Sequence, residues 1–219
     1  MNILVIGDEQ DMEVTKLKFG DSHTYTVESD HRLAEGFVDG NEVVFDFILD
    51  EDPFDVQIYS GKKSIIFINT AKISLAELYN LADQSLPENV FGFNGLPGFF
   101  ENRLMEVSTL DGNQQRLQEC CESFQIEYLI VEDRVGLVTP RVVCMIINEA
   151  YYTVQEGTAS REDIDAAMKL GTNYPYGPFE WCQKIGVKHV YELLEAIYED
   201  THDERYKICP LLKREYLMA

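Results

Sequence analysis

EDIDAAMKLG at residues 162–171, followed by YPYGPFE at residues 174–180, is the stretch of sequence that decides the fold. Ser160 precedes it as a helix N-cap, and acidic residues fill the first turn, where the helix dipole favours negative charge. Gly171 is typical of a helix end, and the prolines around Gly177 favour a rigid turn. The stretch therefore predicts a helix, a tight corner and a second helix.

Helical spacing continues on both sides of this corner. Between Thr139 and Gln155 the apolar residues recur every three or four positions, which predicts one amphipathic helix. Thr139 is the predicted N-cap of that helix, and Pro140 suits its first position. Further helices are predicted at Phe179–Ile185, Lys188–Glu199 and Leu211–Leu217. Residues 134–219 are therefore predicted to form an all-α domain.

Before residue 134 the pattern alternates between short apolar runs and helical segments. Strands are predicted at residues 2–7, 23–29, 43–49, 63–69, 90–93, 103–108 and 127–131. Helices are predicted at residues 32–37, 75–82 and 113–124, with Ser74 and Glu77 forming a capping box. The remainder of residues 8–42 shows no clear helical period. This alternation predicts an α/β domain with a parallel sheet at residues 1–133, so the fold class is α/β followed by all-α.

The composition excludes several classes of function. The chain has 18 basic and 39 acidic residues and a formal charge of −21, a field that repels nucleic acid and anionic membranes. The same field opposes NAD and coenzyme A unless a local site overrides it. No apolar run is long enough to span a membrane. Five cysteines without regular spacing predict no metal site and no disulfide framework, and reduced thiols predict a cytoplasmic protein.

The corner motif is similar to the D-x-A-M-K-x-G-x-x-Y-P-x-G-P-F-E signature of 3-hydroxyacyl-CoA dehydrogenases. The resemblance is strong from residue 134 to 219 and weaker from 43 to 133, and before residue 43 it is limited to the first strand. Shorter matches to the family pattern lie at Asp46–Asp50, Asn69-Thr70, Phe93–Pro97, Met105–Val107, Asn148–Ala150 and Pro210–Lys213.

Members of that family oxidise the 3-hydroxyl of a fatty acyl-CoA and pass the hydride to NAD. The resemblance implies a Rossmann domain for NAD, an acyl-CoA site between the two domains, and a homodimer formed by the helical domain. The stretch from Gly7 to Asn69 has room for two βαβ units of about 30 residues each at most. The Rossmann-like domain is therefore predicted to be abridged.

The resemblance also implies that most of the family's polar site residues are replaced here. The catalytic histidine, three residues before the family's Asn-Pro, falls on Phe91, the serine on Ala71 and the asparagine on Pro140. Glu106 takes the place of the glutamate that orients the histidine. No catalytic residue is therefore assigned. The substrate-cleft candidates are Asn69, Asn94, Glu106 and Arg141.

The dinucleotide loop is similarly reduced. A Rossmann fold needs Gly-x-Gly-x-x-Gly after its first strand, so that the backbone can approach a pyrophosphate. Gly7 is the only remnant, and the carboxylates of Asp8, Glu9 and Asp11 follow it. No cofactor is therefore expected. None of the four histidines replaces the missing base, and all are interpreted as surface or capping residues: His23, His31, His189 and His202.

Three functions fit these residues. The main prediction is a dimeric binding protein of the family type that lacks dehydrogenase activity and takes an acyl-CoA-type ligand. The alternative is an active NAD-dependent 3-hydroxyacyl-CoA dehydrogenase of fatty-acid oxidation with a rearranged site. The third is a purely structural or interaction protein whose cleft is occluded.

Overall fold

A computed structural model describes residues 1–82, 87–110 and 113–219. The chain divides into two compact units. Unit 1 holds Met1–Gly95 and Phe99–Leu137, and unit 2 holds Leu96–Gly98 and Val138–Ala219. The predicted domains, 1–133 and 134–219, stay a prediction.

Unit 1 is an α/β structure, which confirms the predicted class. Its strands are β1 (Asn2–Ile6), β2 (Thr24–Glu28), β3 (Val43–Asp46), β4 (Ile65–Asn69), β5 (Val90–Phe93), β6 (Leu104–Ser108) and β7 (Glu127–Val131). Its helices are α1 (Glu9–Phe19), α2 (His31–Val38), α3 (Leu75–Leu81) and α4 (Gln114–Ser123), with a 3-10 segment at Pro53–Tyr59.

The strands form one seven-stranded sheet in the order β2-β1-β3-β4-β5-β6-β7. All neighbours are parallel except β5 and β6, which pair antiparallel. Along the chain, the direction of strand addition reverses between β1 and β3. In open α/β sheets such a reversal leaves a crevice at the carboxyl ends of the strands, where ligands bind.

Each face of the sheet carries its own hydrophobic core. Phe45, Phe67 and Phe91 belong to the first, with the Phe45 and Phe67 rings stacked at 5.0 Å. Ile6 and Val44 belong to the second, which also takes apolar residues from α2 and the 3-10 segment. Because side chains alternate along a strand, sequence neighbours enter different cores. Burial on both faces explains why the strands read as continuous apolar runs.

Unit 2 is all-helical within the described residues, as predicted. Its helices are α5 (Thr139–Gln155), α6 (Arg161–Thr172), α7 (Pro178–Ile185), α8 (Val187–Thr201) and α9 (Pro210–Tyr216), with a 3-10 turn at Glu204–Tyr206. Buried residues of α5 and α8, among them Ile147 and Leu194, contribute to its core. No helix of the described residues is long and apolar enough to cross a bilayer.

Several element ends differ from the prediction. α1 was missed because its apolar residues form no stripe; a capping box at Asp8 starts it instead. Thr139 is the first helical residue of α5 rather than its cap, and Val138 takes the cap position. α6 continues past Gly171 and ends at Thr172, and the left-handed backbone (φ 57°) of the C-cap residue Asn173 stops the helix.

Candidate functional site

The pairing of β5 with β6 decides which side chain lies next to Glu106. Phe93 lies opposite Val107, and the backbone N–H of Asn94 donates a hydrogen bond to the backbone carbonyl of Glu106 at 3.2 Å. The register therefore places Asn94 opposite Glu106, and directly opposed residues share a face of the sheet. Both side chains are buried, at 5% and 7% exposure.

Phe91 lies on the other face of the sheet. Its side chain is fully buried in the first core, with its ring 5.7 Å from that of Phe67. A side chain on that face does not reach Glu106, because the strand separates them. The residue that faces Glu106 is therefore Asn94. Strand register, and not motif spacing, decides which residue lies beside Glu106, and the assignment of Phe91 to the family's histidine position stays a prediction.

Asn94 changes what this position can do. A carboxamide offers two donors and one acceptor, but it has no group that takes a proton near neutral pH. Paired with Glu106, it forms a polar position without a general base. The resemblance implies an imidazole oriented by a carboxylate, and here only the carboxylate is present.

Two buried hydroxyls lie on the same face, and the sequence analysis did not select them. A Cβ atom built on Gly92 would lie 2.2 Å from Ser108 Oγ and 2.4 Å from Thr70 Oγ1. Neither hydroxyl has a hydrogen-bond partner among the described residues. Gly92 in the middle of β5 was the sequence signal for these hydroxyls, because a glycine inside a strand often marks a close approach of neighbouring groups.

Asn69 serves the backbone of the site. Its amide nitrogen donates to the Phe47 carbonyl at 3.2 Å, and its amide oxygen accepts from Gly95 N at 3.0 Å and Ala71 N at 3.3 Å. It thereby ties the carboxyl ends of β3, β4 and β5 together. Ala71 is fully buried, and its carbonyl accepts from Gly136 N at 2.7 Å. Asn69, one of the substrate-cleft candidates, therefore positions the backbone at the ends of these strands. Ala71 offers no polar side chain.

The loop after β1 holds its own carboxylates where a dinucleotide would place phosphate. Asp8 Oδ1 accepts from Gln10 N at 2.7 Å and from Asp11 N at 2.9 Å, which satisfies the N-terminus of α1. The Asp11 carboxylate accepts from Asp8 N at 2.9 Å and lies 2.3 Å from where a Cβ on Gly7 would stand. Glu28 at the end of β2 lies about 20 residues after the loop, where a Rossmann fold carries the carboxylate that binds the ribose. The phosphate cradle nevertheless does not fit NAD.

Pro140 and Arg141 lie in α5 of unit 2. Pro140 is buried, and the Arg141 guanidinium donates to the Tyr206 hydroxyl at 2.8 Å. The guanidinium also lies 5.4 Å from the centre of the Tyr206 ring. Both residues therefore take part in the packing of the helical unit.

The signature stretch holds the corner between α6 and α7. The Asp165 carboxylate accepts from Phe179 N at 2.8 Å, and a Cβ on Gly177 would collide with it at 2.3 Å. Glu180 accepts from Gly177 N at 3.0 Å and pairs with Lys169. Asp165, Lys169, Glu180 and Gly177 of this motif thus have structural partners within unit 2.

His31 contradicts the interpretation of the histidines as surface or capping residues. It is only 5% exposed, and its two ring nitrogens lie 2.9 Å from Asp46 Oδ2 and 3.1 Å from Asp55 Oδ2. His202 agrees better, because it is exposed and occupies the C-cap of α8. The sequence gives no period or motif around His31 that would place it between two carboxylates.

Residues 136–217 match the family model for the 3-hydroxyacyl-CoA dehydrogenase C-terminal domain. A probable 3-hydroxybutyryl-CoA dehydrogenase of Bacillus subtilis is 31% identical over 160 residues, 71% of this chain and 55% of that protein. The 3-hydroxyadipyl-CoA dehydrogenase of Escherichia coli is 44% identical over 90 residues, 41% of this chain and 19% of that protein. The chain thus spans about half, or less, of the length of these relatives.

The fold agrees with these sequence matches. The crystal structure of (S)-3-hydroxybutyryl-CoA dehydrogenase from Ralstonia eutropha superposes with a TM-score of 0.74 at 20% identity, covering 99% of this chain and 93% of that one. At that identity the likeness shows the fold. Taken together with the matched helical domain and the relatives, it establishes that the chain belongs to the 3-hydroxyacyl-CoA dehydrogenase family.

Proposed function

We propose that this chain is a binding member of its family, which takes an acyl-CoA-type ligand but does not dehydrogenate it. The observation that carries the proposal is the pairing of Glu106 with Asn94 in place of an imidazole. Removal of a hydroxyl proton requires a base, and losing a general base costs on the order of 10²–10⁴ in rate. The carboxylates of Asp8 and Asp11 in the loop after β1 further oppose a dinucleotide.

A second candidate is an active NAD-dependent 3-hydroxyacyl-CoA dehydrogenase with a rearranged site. The relatives favour it, because each of those named above is a dehydrogenase by name, and none of the matches indicates a loss of activity. In this candidate the buried Glu106 carboxylate would have to take the hydroxyl proton itself. The two candidates therefore differ in whether NAD binds at all.

Ligand-dependent thermal stability separates them. A ligand at about 100 times its Kd stabilises the folded state by about 2.7 kcal/mol, which raises Tm by roughly 5–10 °C for a chain of this size. We expect acetoacetyl-CoA to give such a shift, and NAD, NADH and the control polyanion ATP to give none. A shift with NAD or NADH refutes the proposal and supports the dehydrogenase. No shift with any of them supports a structural protein with an occluded cleft.

We further propose a homodimer formed through the helical domain, in the cytoplasm. α6 has no buried residue, and its Leu170 is 88% exposed, which is unusual for an amphipathic helix unless a partner covers it. Light scattering should give twice the chain mass for the wild type. Leu170→Asp should give a monomer, whereas Leu17→Asp, at a position 83% exposed in unit 1, should remain a dimer. A monomeric wild type would refute this part.

A further inference from the structure

A buried ion cluster lies beside the crevice between β1 and β3. It is formed by His31, the first residue of α2, Asp46, the last residue of β3, and Asp55 and Tyr59 of the 3-10 segment. Asp46, Tyr59 and His31 are 0%, 0% and 5% exposed. Asp46 lies in a stretch that matches the family pattern, but the proposed function assigns no role to the cluster.

The geometry fits a charged His31 ring. One ring nitrogen faces Asp46 Oδ2 at 2.9 Å, and the other faces Asp55 Oδ2 at 3.1 Å. Ionised carboxylates only accept hydrogen bonds, so both nitrogens must carry hydrogen, as they do in an imidazolium. Because both nitrogens are already engaged, neither is available to a metal ion.

Asp46 is built to receive this cation. Besides His31, its carboxylate accepts the Tyr59 hydroxyl at 2.6 Å on Oδ2 and Ile48 N at 3.1 Å on Oδ1. A fully buried carboxylate is tolerated when it is paired and hydrogen-bonded in this way. The cluster therefore connects three elements: α2, the end of β3 and the 3-10 segment.

The position of His31 in its helix makes the charge costly without these partners. Burial disfavours the imidazolium, and a cation in the first turn opposes the helix dipole. The Asp30 carboxylate at the N-cap accepts hydrogen bonds from Arg32 N at 2.8 Å and from Leu33 N. It offsets only part of the effect of the dipole on His31. Burial lowers the pKa of His31, but the hydrogen bonds and charges of Asp46 and Asp55 outweigh it, and the pKa is raised above 6.5.

We propose that His31 is a pH-dependent latch, which as an imidazolium holds the 3-10 segment Pro53–Tyr59 against the carboxyl end of β3 and releases it when the proton is lost. The two contacts that attach the segment differ in their exposure to solvent. Tyr59 is fully buried, but Asp55 is 36% exposed in its side chain, so its contact with His31 is the part that reaches solvent. Release would open this side of the crevice between β1 and β3.

The direction of the pH effect follows from linkage. Because the closed state holds the His31 proton more tightly than an open state does, closure is favoured below the ordinary histidine pKa of about 6.5 and weakens as the pH rises through the raised value. Opening should increase about tenfold for each unit by which the pKa of the closed state exceeds that of the open state. Asp11, whose carboxylate interacts electrostatically with Asp46, has a pKa of about 6 and therefore also loses protons in the lower part of the range between pH 6 and pH 9. His31→Gln retains Asp11 and so separates the two contributions.

Amide hydrogen exchange of the full chain tests the latch. The reporters are Asp55 N and Ser60 N, which donate to Asp52 O and Gln57 O at 3.0 Å. After correction for intrinsic exchange, their protection should fall between pH 6 and pH 9 by the factor that the measured His31 pKa shift sets, while that of β4 stays constant. In His31→Gln the protection of the segment should be low and independent of pH. Unchanged wild-type protection, or a pH response that persists in His31→Gln, refutes the proposal.

A second measurement covers the outcome in which His31→Gln does not fold. An NMR titration of the wild-type ring should give a His31 pKa above 6.5, and Asp55→Asn should lower it without changing the titration of the exposed His202. A wild-type pKa at or below 6.5 refutes the latch, whatever the variants do.

Discussion

Replacing Phe91 by alanine tests whether this residue belongs to the core or to the site. Its side chain is fully buried, packed against Phe67 in the core on the face opposite Glu106. Complete burial of a phenylalanine stabilises by about 1.5–3 kcal/mol through transfer alone, and the cavity left by truncation brings typical losses to about 3–5 kcal/mol. At about 2–4 °C per kcal/mol, the thermal transition of unit 1 should fall by roughly 6–20 °C.

Circular dichroism during heating and denaturant titration would measure this loss, with unit 2 as an internal reference if the two units melt separately. Phe54→Ala is the matched control, because Phe54 is 64% exposed and its truncation should cost no more than about 0.5 kcal/mol. A loss below about 1 kcal/mol for Phe91→Ala, or an equal loss for the control, would contradict the register that places Asn94 rather than Phe91 beside Glu106.

Three further predictions concern the site and its loop. Asp8→Ala should remove the α1 N-cap and cost about 1 kcal/mol in denaturant titrations, whereas Asp8→Asn should keep the cap; equal losses would show that capping is not the role of Asp8. Burial, together with the charges of Asp8 and Asp46, raises the pKa of Asp11 from 3.8 to about 6. Its ionisation therefore destabilises the folded state as pH rises through that window, so Asp11→Asn should stabilise at pH 7 by on the order of 1 kcal/mol and show a weaker pH dependence between 4 and 6; a destabilised variant would exclude this. In Asn94→His, an NMR titration should give an imidazole pKa about one unit higher than in Asn94→His combined with Glu106→Gln, because the carboxylate favours the charged ring; identical values would mean that the two positions do not face each other.

The sequence predicted the fold better than it predicted the site. The helical unit was predictable because its apolar spacing, the Ser160 cap and the prolines around Gly177 all favour the same structure. α1 escaped prediction because Asp8 and Asp11 start it by hydrogen bonding, whereas its apolar residues carry no period. In the sequence, only acidic residues mark the start of α1, in a loop that lacks the glycines of a dinucleotide site.

The site was harder because its partners are distant in sequence. Side chains at Asn94 and Phe91 enter opposite faces of the sheet, and a motif alignment without strand register cannot tell which of them meets Glu106. His31 likewise meets Asp46 and Asp55 only through the crossover of α2 from β2 to β3. Long-range pairing of this kind leaves no local pattern in the sequence.

If the position beside Glu106 cannot accept a proton, the protein should not turn over a 3-hydroxyacyl-CoA. NADH absorbance would be followed with 3-hydroxybutyryl-CoA and NAD at enzyme concentrations comparable to substrate, with Glu106→Gln as the background. We expect no acyl-CoA-dependent NADH above that background. Stoichiometric NADH formation by the wild type, lost in Glu106→Gln, would contradict it and identify an active dehydrogenase.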